Sequence, residues 1–230
     1  MNDAARSNRG ALIPVFLTVF IDLLGFGIVI PLLPIYSEAY DASGLELGLL
    51  FSSFSLMQLV FAPFWGRLSD RIGRRPVLIV GLVGTSLAYV LFGLADGMTM
   101  LFVSRMLAGF FGANVATAQA YVADVTTPAE RAKGMGIIGA AFGLGFTFGP
   151  AIGGFMVQGS MALPGFFAAG LSGAAAIVAI VLLREPVRHA QEATRIFSLD
   201  TVSAAIRQPR VGTILVLYFL ALLAFSGFES

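Results

Sequence analysis

The chain has 230 residues, of which 57% are hydrophobic and only 12% are charged, and its mean hydropathy is +0.89. A soluble domain carries about twice that charged fraction, so we predict an integral membrane protein surrounded by lipid. The net charge of +1 gives no reason to expect a nucleic-acid partner, and the absence of cysteine excludes disulfides and thiolate metal sites.

Apolar runs long enough to cross a bilayer recur along the chain, because about 20 residues span the hydrocarbon layer as a helix. Backbone groups that face lipid must be bonded within their own segment, and the alternation of a barrel strand is absent. We therefore predict an all-α membrane bundle. The predicted spans are 12–36, 46–65, 77–94, 99–121, 134–157, 163–183 and 211–230.

These spans divide the chain into three predicted parts. We expect an N-terminal six-helix bundle at 1–183, a cytoplasmic linker at 184–210, and the first helix of an otherwise absent C-terminal bundle at 211–230. The seventh span has only just reached full length where the sequence stops. We therefore expect the chain to be a fragment whose partner is the missing C-terminal half. The single histidine, His189, is expected to be a plain surface residue of the linker.

The distribution of charge predicts the orientation. Every lysine and arginine except Arg105 lies in the connections on one side of the spans. The connections on the other side carry acids but no basic residue, namely Glu38, Asp41, Glu46 and Asp96. By the positive-inside rule the N-terminus is cytoplasmic. We predict a multi-pass protein of the cell membrane, inner or plasma.

Asp22 is an acid in the middle of the first span, about eleven residues from its start and therefore roughly 16 Å deep. An acid there costs roughly 2.5–3.5 kcal/mol on insertion scales, so it is kept mainly where it faces a cavity or a partner. We predict that Asp22 exchanges protons; a structural ion pair or a hydrogen-bonded acid within the bundle is the alternative. Gly25, Gly27, Pro31 and Pro34 predict close packing followed by a kink.

The fourth span carries a second buried charge. Arg105, Gly109, Gly112, Ala116 and Gln119 follow one another at helical spacings, which predicts a single stripe on one helix face. Because a guanidinium stays protonated, we expect Arg105 to act on a nearby acid or to hold an anionic group. The alternative is that Arg105 bonds a backbone carbonyl or extends to the outer surface.

The second span has a small polar face that includes Ser55, Gln58 and Ala62. The amide of Gln58 is equally suited to a substrate and to another helix. Trp65, at the cytoplasmic end of this span, is typical of the aromatic belt at a membrane interface. Asn114 and Tyr121 in the fourth span are further polar candidates.

Glycines recur at intervals of four in the fifth span, at Gly145, Gly149 and Gly153, with Pro150 after the middle one. This predicts a bare helix face that another helix approaches closely, and a bend at the proline. The stretch does not follow a strand, so it is not a nucleotide-binding loop. The sequence contains no catalytic motif, and we expect no enzymatic activity, no catalytic residue, no cofactor and no metal.

The segment 66–78, with the sequence GRLSDRIGRRPVL, is a dense charged island between two apolar spans. This island, together with the other motifs, resembles the major facilitator superfamily over about residues 13–157. The resemblance is to its twelve-span proton-coupled drug antiporters of the tetracycline and multidrug efflux branch. The island matches the signature loop between the second and third spans at Gly66, Asp70, Arg71, Gly73, Arg74, Arg75 and Leu78.

Further motifs carry the same resemblance. The segment 22–34 is similar to the first-span motif of these antiporters, and Arg105 with Gly109, Gly112 and Ala113 is similar to the fourth-span motif. The fifth-span antiporter motif is present at Gly136, Gly145, Gly149, Pro150, Gly153 and Gly154.

The resemblance implies two inverted three-helix repeats, alternating access, and export in exchange for protons. It implies that Asp70 and Arg74 form a cytoplasmic gate that latches the outward-open state, with Asp124 as a partner. It also implies that Arg105 acts in proton coupling and that the fifth-span glycines lie at the interface between the two halves.

Two positions depart from the pattern of this family. Ala108 replaces the usual glutamine before Gly109, a change that the tetracycline branch tolerates. Ala88 replaces the third-span acid of classical tetracycline exporters, which argues against tetracycline as the substrate.

We therefore expect a proton-coupled exporter of a small amphipathic compound or drug, with Asp22, Arg105, Gln58 and Gln119 at its proton-coupling cavity. A proton-coupled carrier of a metabolite, sugar or siderophore is the alternative transporter. A non-transporting membrane receptor or scaffold is the alternative of another class, but a pure scaffold has no reason to keep both Asp22 and Arg105 in its spans.

Overall fold

A computed structural model describes residues 3–186, with side chains from residue 12 onward, together with residues 212, 213, 216, 217 and 220. All regular structure among these residues is helical, which confirms the predicted all-α class. The helices are α1 (Asp3–Val29), α2 (Leu33–Ala39), α3 (Gly44–Ile72), α4 (Arg74–Gly93), α5 (Met98–Phe111), α6 (Asn114–Val125), α7 (Arg131–Val157) and α8 (Ala162–Leu182).

The chain divides into two compact units, Met1–Arg188 and His189–Ser230. All eight helices belong to the first unit. In the second unit the five described residues are helical. Most of the predicted linker, His189 and the greater part of the predicted seventh span lie outside the described residues.

Six segments of the described chain are long and apolar enough to cross a membrane. They are Leu12–Ala39, Gly44–Ile72, Arg74–Gly93, Met98–Val125, Arg131–Val157 and Ala162–Leu182. Each coincides with one of the first six predicted spans. At the place where a kink is predicted in the first span, a short 3-10 helix at Ile30–Leu32, which contains Pro31, separates α1 from α2.

The charged island is helical rather than a loop, which corrects our reading of 66–78 as a connection. Helix α3 runs to Ile72 and α4 begins at Arg74, so Gly73 is the single residue between them. Gly73 has a φ of 118°, a conformation open to glycine at little cost. Arginine is a good helix former, and these side chains lie at helix ends, so charge there does not interrupt the backbone.

The helix contacts have the pattern expected of two three-span repeats. The first helix of the first repeat, α1, packs against the second helix of the other repeat, α7, and in the reciprocal contact α3 packs against α5 at the start of the second repeat. Helices α4 and α8, which end the two repeats, also pack together. Helix α3 is the least enclosed span, so one side of the bundle remains open along it.

The predicted glycine face of α7 is confirmed, and it packs against α1. A methyl group on Gly149 would overlap the backbone of Gly27, so the two helices touch without any side chain between them. Gly145 meets Leu23 and Gly153 meets Ile28 in the same way. These three glycines therefore form a close contact between the two repeats of the six-helix unit.

The other two glycines of the fifth-span motif do not share this role. At Gly136 and Gly154, no atom of the described residues lies within 4 Å of the position that a Cβ would occupy. Helix α7 continues through Pro150 without a break. The close helix contact therefore depends on the buried glycines alone.

Candidate functional site

Asp22 is buried in the middle of the bundle, with 8% of its surface exposed. Its Oδ1 accepts a hydrogen bond from Ser172 Oγ at 3.0 Å, and its Oδ2 accepts one from Asn114 Nδ2 at 3.1 Å. Neither of the ion pairs found among the described residues involves Asp22. The acid is therefore held by neutral donors from α6 and α8, and the structural ion pair that we considered is not formed in this part of the chain.

The position of Asn114 depends on two glycines of α4. Gly81 leaves room for the Asn114 amide and Gly84 leaves room for the ring of Phe111, since a methyl group at either glycine would overlap these side chains. The Asn114 amide nitrogen also lies 3.5 Å from Thr85 Oγ1. The sequence predicted Asn114 only as a polar candidate. The contributions of Ser172 and Thr85 to this hydrogen-bonded site were not predicted.

The fourth span is interrupted where the sequence predicted a continuous helix. Helix α5 ends at Phe111 and α6 begins at Asn114, with Gly112 and Ala113 between them. The predicted stripe is consequently wrong. Arg105 and Gly109 are buried, whereas Ala116 and Gln119 are exposed on α6, so Gln119 does not share a face with Arg105.

Two side chains of α3 bond the carbonyl groups at this interruption. Gln58 Nε2 donates to the carbonyl oxygen of Gly112 at 2.7 Å, and Trp65 Nε1 donates to that of Phe110 at 2.6 Å. A carbonyl released from a helix inside a bilayer needs such a partner. Of the two uses we considered for Gln58, the structure shows the bond to another helix. Trp65 is buried against the neighbouring helix as well as bonded to it.

Arg105 is one of the most buried side chains in the described chain, with 1% of its surface exposed. Its guanidinium lies over the rings of Tyr89 and Phe92, at 5.5 and 5.1 Å from their centroids. Its Nη2 is 3.5 Å from Ser104 Oγ, and its Nε has no hydrogen-bond partner among the described residues. Arg105 therefore neither reaches the surface nor pairs with Asp22.

An apolar groove of about 490 Å³ lies between α1 and α3 and reaches Arg105. Its lining includes Phe26, Ile30, Phe51, Phe54, Ser55 and Arg105. Asp22 is not part of this lining, although Phe26 lies one helical turn beyond it. Of the two buried charged side chains, Arg105 therefore lies against the groove. Asp22 is instead hydrogen-bonded to residues of α6 and α8.

The island brings together the acids and the arginine that the resemblance grouped as a gate. Arg74 Nη1 lies 2.6 Å from Asp70 Oδ1, and Arg74 Nε lies 3.0 Å from Asp124 Oδ2. Arg74 Nη1 also donates to Ser69 Oγ at 2.6 Å. One guanidinium therefore ties the end of α3 to the end of α6.

Glu185 is a member of this cluster that our sequence analysis missed. Its two carboxylate oxygens accept hydrogen bonds from the backbone N–H groups of Arg74 and Arg75, at 2.8 and 3.1 Å. It thus caps the N-terminus of α4, where negative charge is favoured. A methyl group on Gly73 would overlap the Glu185 carboxylate. Arg75 Nη2 donates to the carbonyl of Ile180 at 2.6 Å, a second link to α8.

Three further island residues, Gly66, Arg67 and Arg71, lie on the last turns of α3. Arg71 is exposed, Gly66 has open space beside it, and Arg67 Nε donates to the carbonyl of Pro63 in its own helix at 3.3 Å. Arg67 therefore has no part in the link between α3 and α6.

Comparison with known proteins shows the family to which the chain is similar. The model of the Major Facilitator Superfamily matches residues 15–230. The tetracycline resistance protein, class E, of Escherichia coli is 36% identical over 213 residues, covering 89% of this chain and 53% of that relative. Multidrug resistance protein 1 of Bacillus subtilis (strain 168) is 41% identical over 172 residues, covering 74% of this chain and 44% of the relative.

A solved structure shares the fold. The crystal structure of the human organic anion transporter MFSD10 (TETRAN) superposes with a TM-score of 0.80 at 27% identity, covering 96% of this chain and 63% of that one. The chain spans about half the length of the curated relatives above. The chain therefore belongs to the major facilitator superfamily, within its drug-efflux branch, and is a multi-pass membrane protein.

Proposed function

We propose that this chain is the N-terminal half of a secondary transporter that exports a small amphipathic compound in exchange for protons, by alternating access. We place it in the inner or plasma membrane with its N-terminus in the cytoplasm, since nearly all basic residues lie on that side. Its partners are lipid, protons, the exported compound and a C-terminal half of the same transporter.

The observation that carries this proposal is the buried carboxyl of Asp22, which is held by neutral donors alone in the part of the chain that the structure describes. A carboxyl with no cation beside it can take up a proton without leaving an unpaired charge behind. The hydroxyl of Ser172 can also reorient to suit either protonation state of the acid. This is the chemistry that a proton carrier within a bilayer requires.

The energy of proton entry is sufficient for such export. One charge that moves down 100 mV releases about 2.3 kcal/mol, which supports a concentration ratio of roughly 40-fold for the exported compound. The names of the relatives, multidrug and tetracycline resistance proteins, support an exported drug-like compound.

The structure around Ala88 supports a substrate other than tetracycline. Ala88 is fully buried, and its carbonyl accepts a hydrogen bond from Ser104 Oγ at 2.9 Å. This position, where classical tetracycline exporters are expected to carry an acid, therefore lies within the packed contact of α4 and α5. Tetracycline resistance is accordingly not the activity that we propose.

The proposal is tested with the full-length protein in inverted membrane vesicles, using fluorescent cationic, neutral and anionic amphipathic compounds. We expect uptake into the vesicles when their lumen is acidic, and no uptake when the gradient is reversed or collapsed. Uptake that follows the opposite gradient would identify a proton-coupled importer of a nutrient. A protein that moves no compound with either gradient would be a receptor or scaffold, and both results contradict the proposal.

A further inference from the structure

Arg105 is a buried cation for which the described chain supplies no anion. None of the acids in residues 12–186 forms an ion pair with it, and its Nε has no hydrogen-bond partner there. The rings of Tyr89 and Phe92 attract the guanidinium but offer no acceptor for its N–H groups. The bond to Ser104 Oγ, at 3.5 Å, is at the limit of hydrogen-bond length.

The same cation forms part of the lining of the groove between α1 and α3. The other lining side chains are apolar or aromatic except for Ser52 and Ser55, and none of them is acidic. A volume of about 490 Å³ lies within the range of small-molecule sites, which combine an apolar wall with a few placed polar groups. The groove therefore has one positive charge directly beneath its apolar surface, since Arg105 belongs to the lining but is only 1% exposed.

We propose that this groove selects organic anions, compounds with an aromatic or aliphatic body and a carboxylate or sulfonate that binds Arg105. The anion accepts hydrogen bonds from the guanidinium, and the apolar body lies against Phe26, Phe51 and Phe54. A cationic compound meets repulsion from Arg105 and finds no acid in the part of the lining that the structure describes. This inference rests on the proposed transport function and names its substrate class.

Two probes with the same apolar body separate charge from hydrophobicity. These are 8-anilinonaphthalene-1-sulfonate and its uncharged counterpart N-phenyl-1-naphthylamine, titrated by fluorescence against the full-length protein in nanodiscs, with empty nanodiscs subtracted. We expect the sulfonate to bind about tenfold more tightly than the neutral probe. Equal affinity for the two probes would overturn the proposal.

Variants of Arg105 test the residue directly. Arg105→Gln is expected to weaken sulfonate binding by about tenfold while the neutral probe changes by less than about twofold. Arg105→Lys keeps the charge and is expected to retain more of the sulfonate affinity than Arg105→Gln. Unchanged sulfonate binding in Arg105→Gln would assign the anion to another group and overturn the proposal.

A second variant does not disturb the buried arginine. Ser55 lies in the groove lining on the exposed side of α3, so Ser55→Asp places an anion in the groove. We expect it to weaken the sulfonate by about tenfold and to leave the neutral probe unchanged, whereas Ser55→Asn should affect neither. Equal loss of both probes in Ser55→Asp would indicate simple blockage of the groove and contradict selection by charge.

The binding assay contains no pH gradient, so its outcome is independent of proton coupling. Charge-selective binding without gradient-driven movement would leave this inference standing and sink the proposed function. Gradient-driven export of neutral or cationic compounds, with no Arg105-dependent binding of the sulfonate, would support the proposed function and overturn this inference.

Discussion

Asn114 Nδ2 lies 3.1 Å from Asp22 Oδ2, and Asn114 is the first residue of the helix that resumes after the interruption of the fourth span. The interruption and the acid are thus directly linked. Movement of α6 relative to α5 would change the hydrogen bonding of Asp22, and protonation of Asp22 would change the bond that holds the start of α6. This reciprocity is a physical basis for coupling proton binding to a change of conformation.

The contribution of Asn114 can be measured with Asn114→Ala. A hydrogen bond to a charged group contributes about 1.5–3 kcal/mol, so we expect gradient-driven transport to fall by about tenfold or more. The matched control is Thr117→Ala, one turn further along the same helix. Thr117 is equally buried, but its hydroxyl bonds only the carbonyl of Ala113 in the turn before it. Transport by Asn114→Ala at the level of this control would show that the contact is dispensable.

Two hydrogen bonds from α3 reach the interruption of the fourth span, and we predict that removing either one lowers the stability of the protein. Gln58→Leu and Trp65→Phe each leave a carbonyl without its donor, and each should reduce the free energy of unfolding by about 1–3 kcal/mol. Thermal unfolding of the purified protein in detergent measures this. Ser53→Ala is the control, because Ser53 is also half-buried on α3 but bonds only the carbonyl of Leu50 in its own helix. Equal melting temperatures for Gln58→Leu and Ser53→Ala would contradict the assigned role.

The link between α3 and α6 predicts how Asp70 and Asp124 behave if they act as a gate. Asp70→Asn and Asp124→Asn each remove one anchor of Arg74, so each should slow transport without altering the order of preferred compounds. Because both acids hold the same guanidinium, the double variant should be little worse than either single variant.

Arg67→Gln serves as the control for the gate, since Arg67 bonds only its own helix. It should transport at the wild-type rate. A changed spectrum of transported compounds in Asp70→Asn would move this cluster from the gate to the binding site.

The contact between α1 and α7 predicts a difference between two glycines of one helix. A methyl group on Gly149 meets the backbone of Gly27, so Gly149→Ala must push the helices apart, at a cost of about 1–3 kcal/mol. Gly143 has open space beside it, and Gly143→Ala should be neutral or stabilise by up to about 1 kcal/mol. The two variants are compared by their melting temperatures in detergent. Similar values for the two variants would contradict the close packing.

Features with a regular spacing were predictable from the sequence. The glycines of α7 fall on one face because they recur every four residues, and the burial of Asp22 agrees with its place in the middle of the first span. The proline-rich end of the first span predicted a change in the helix, and the 3-10 segment lies there, at Ile30–Leu32. In each case the property depends on one segment only.

Features that depend on two segments escaped prediction. The stripe from Arg105 to Gln119 assumed an unbroken helix, and only the donors of Gln58 and Trp65 on α3 make the break tolerable. Similarly, nothing in the residues around Glu185 indicates that it caps a helix that begins 111 positions earlier. The charged island 66–78 predicts a connection between two spans, but it is helical on both sides of Gly73, because charged residues at the water-facing end of a helix do not end it.

The role of Asp22 is tested most directly by comparing two activities of the full-length protein in proteoliposomes. One is substrate accumulation driven by an imposed pH gradient, and the other is exchange of labelled for unlabelled substrate with no gradient. We predict that Asp22→Asn abolishes accumulation and retains exchange, because the amide fills the same space but binds no proton. Asp41→Asn, the same change at an exposed turn, should retain both activities. Accumulation by Asp22→Asn at the wild-type level would contradict the assignment of Asp22 as the proton-binding group.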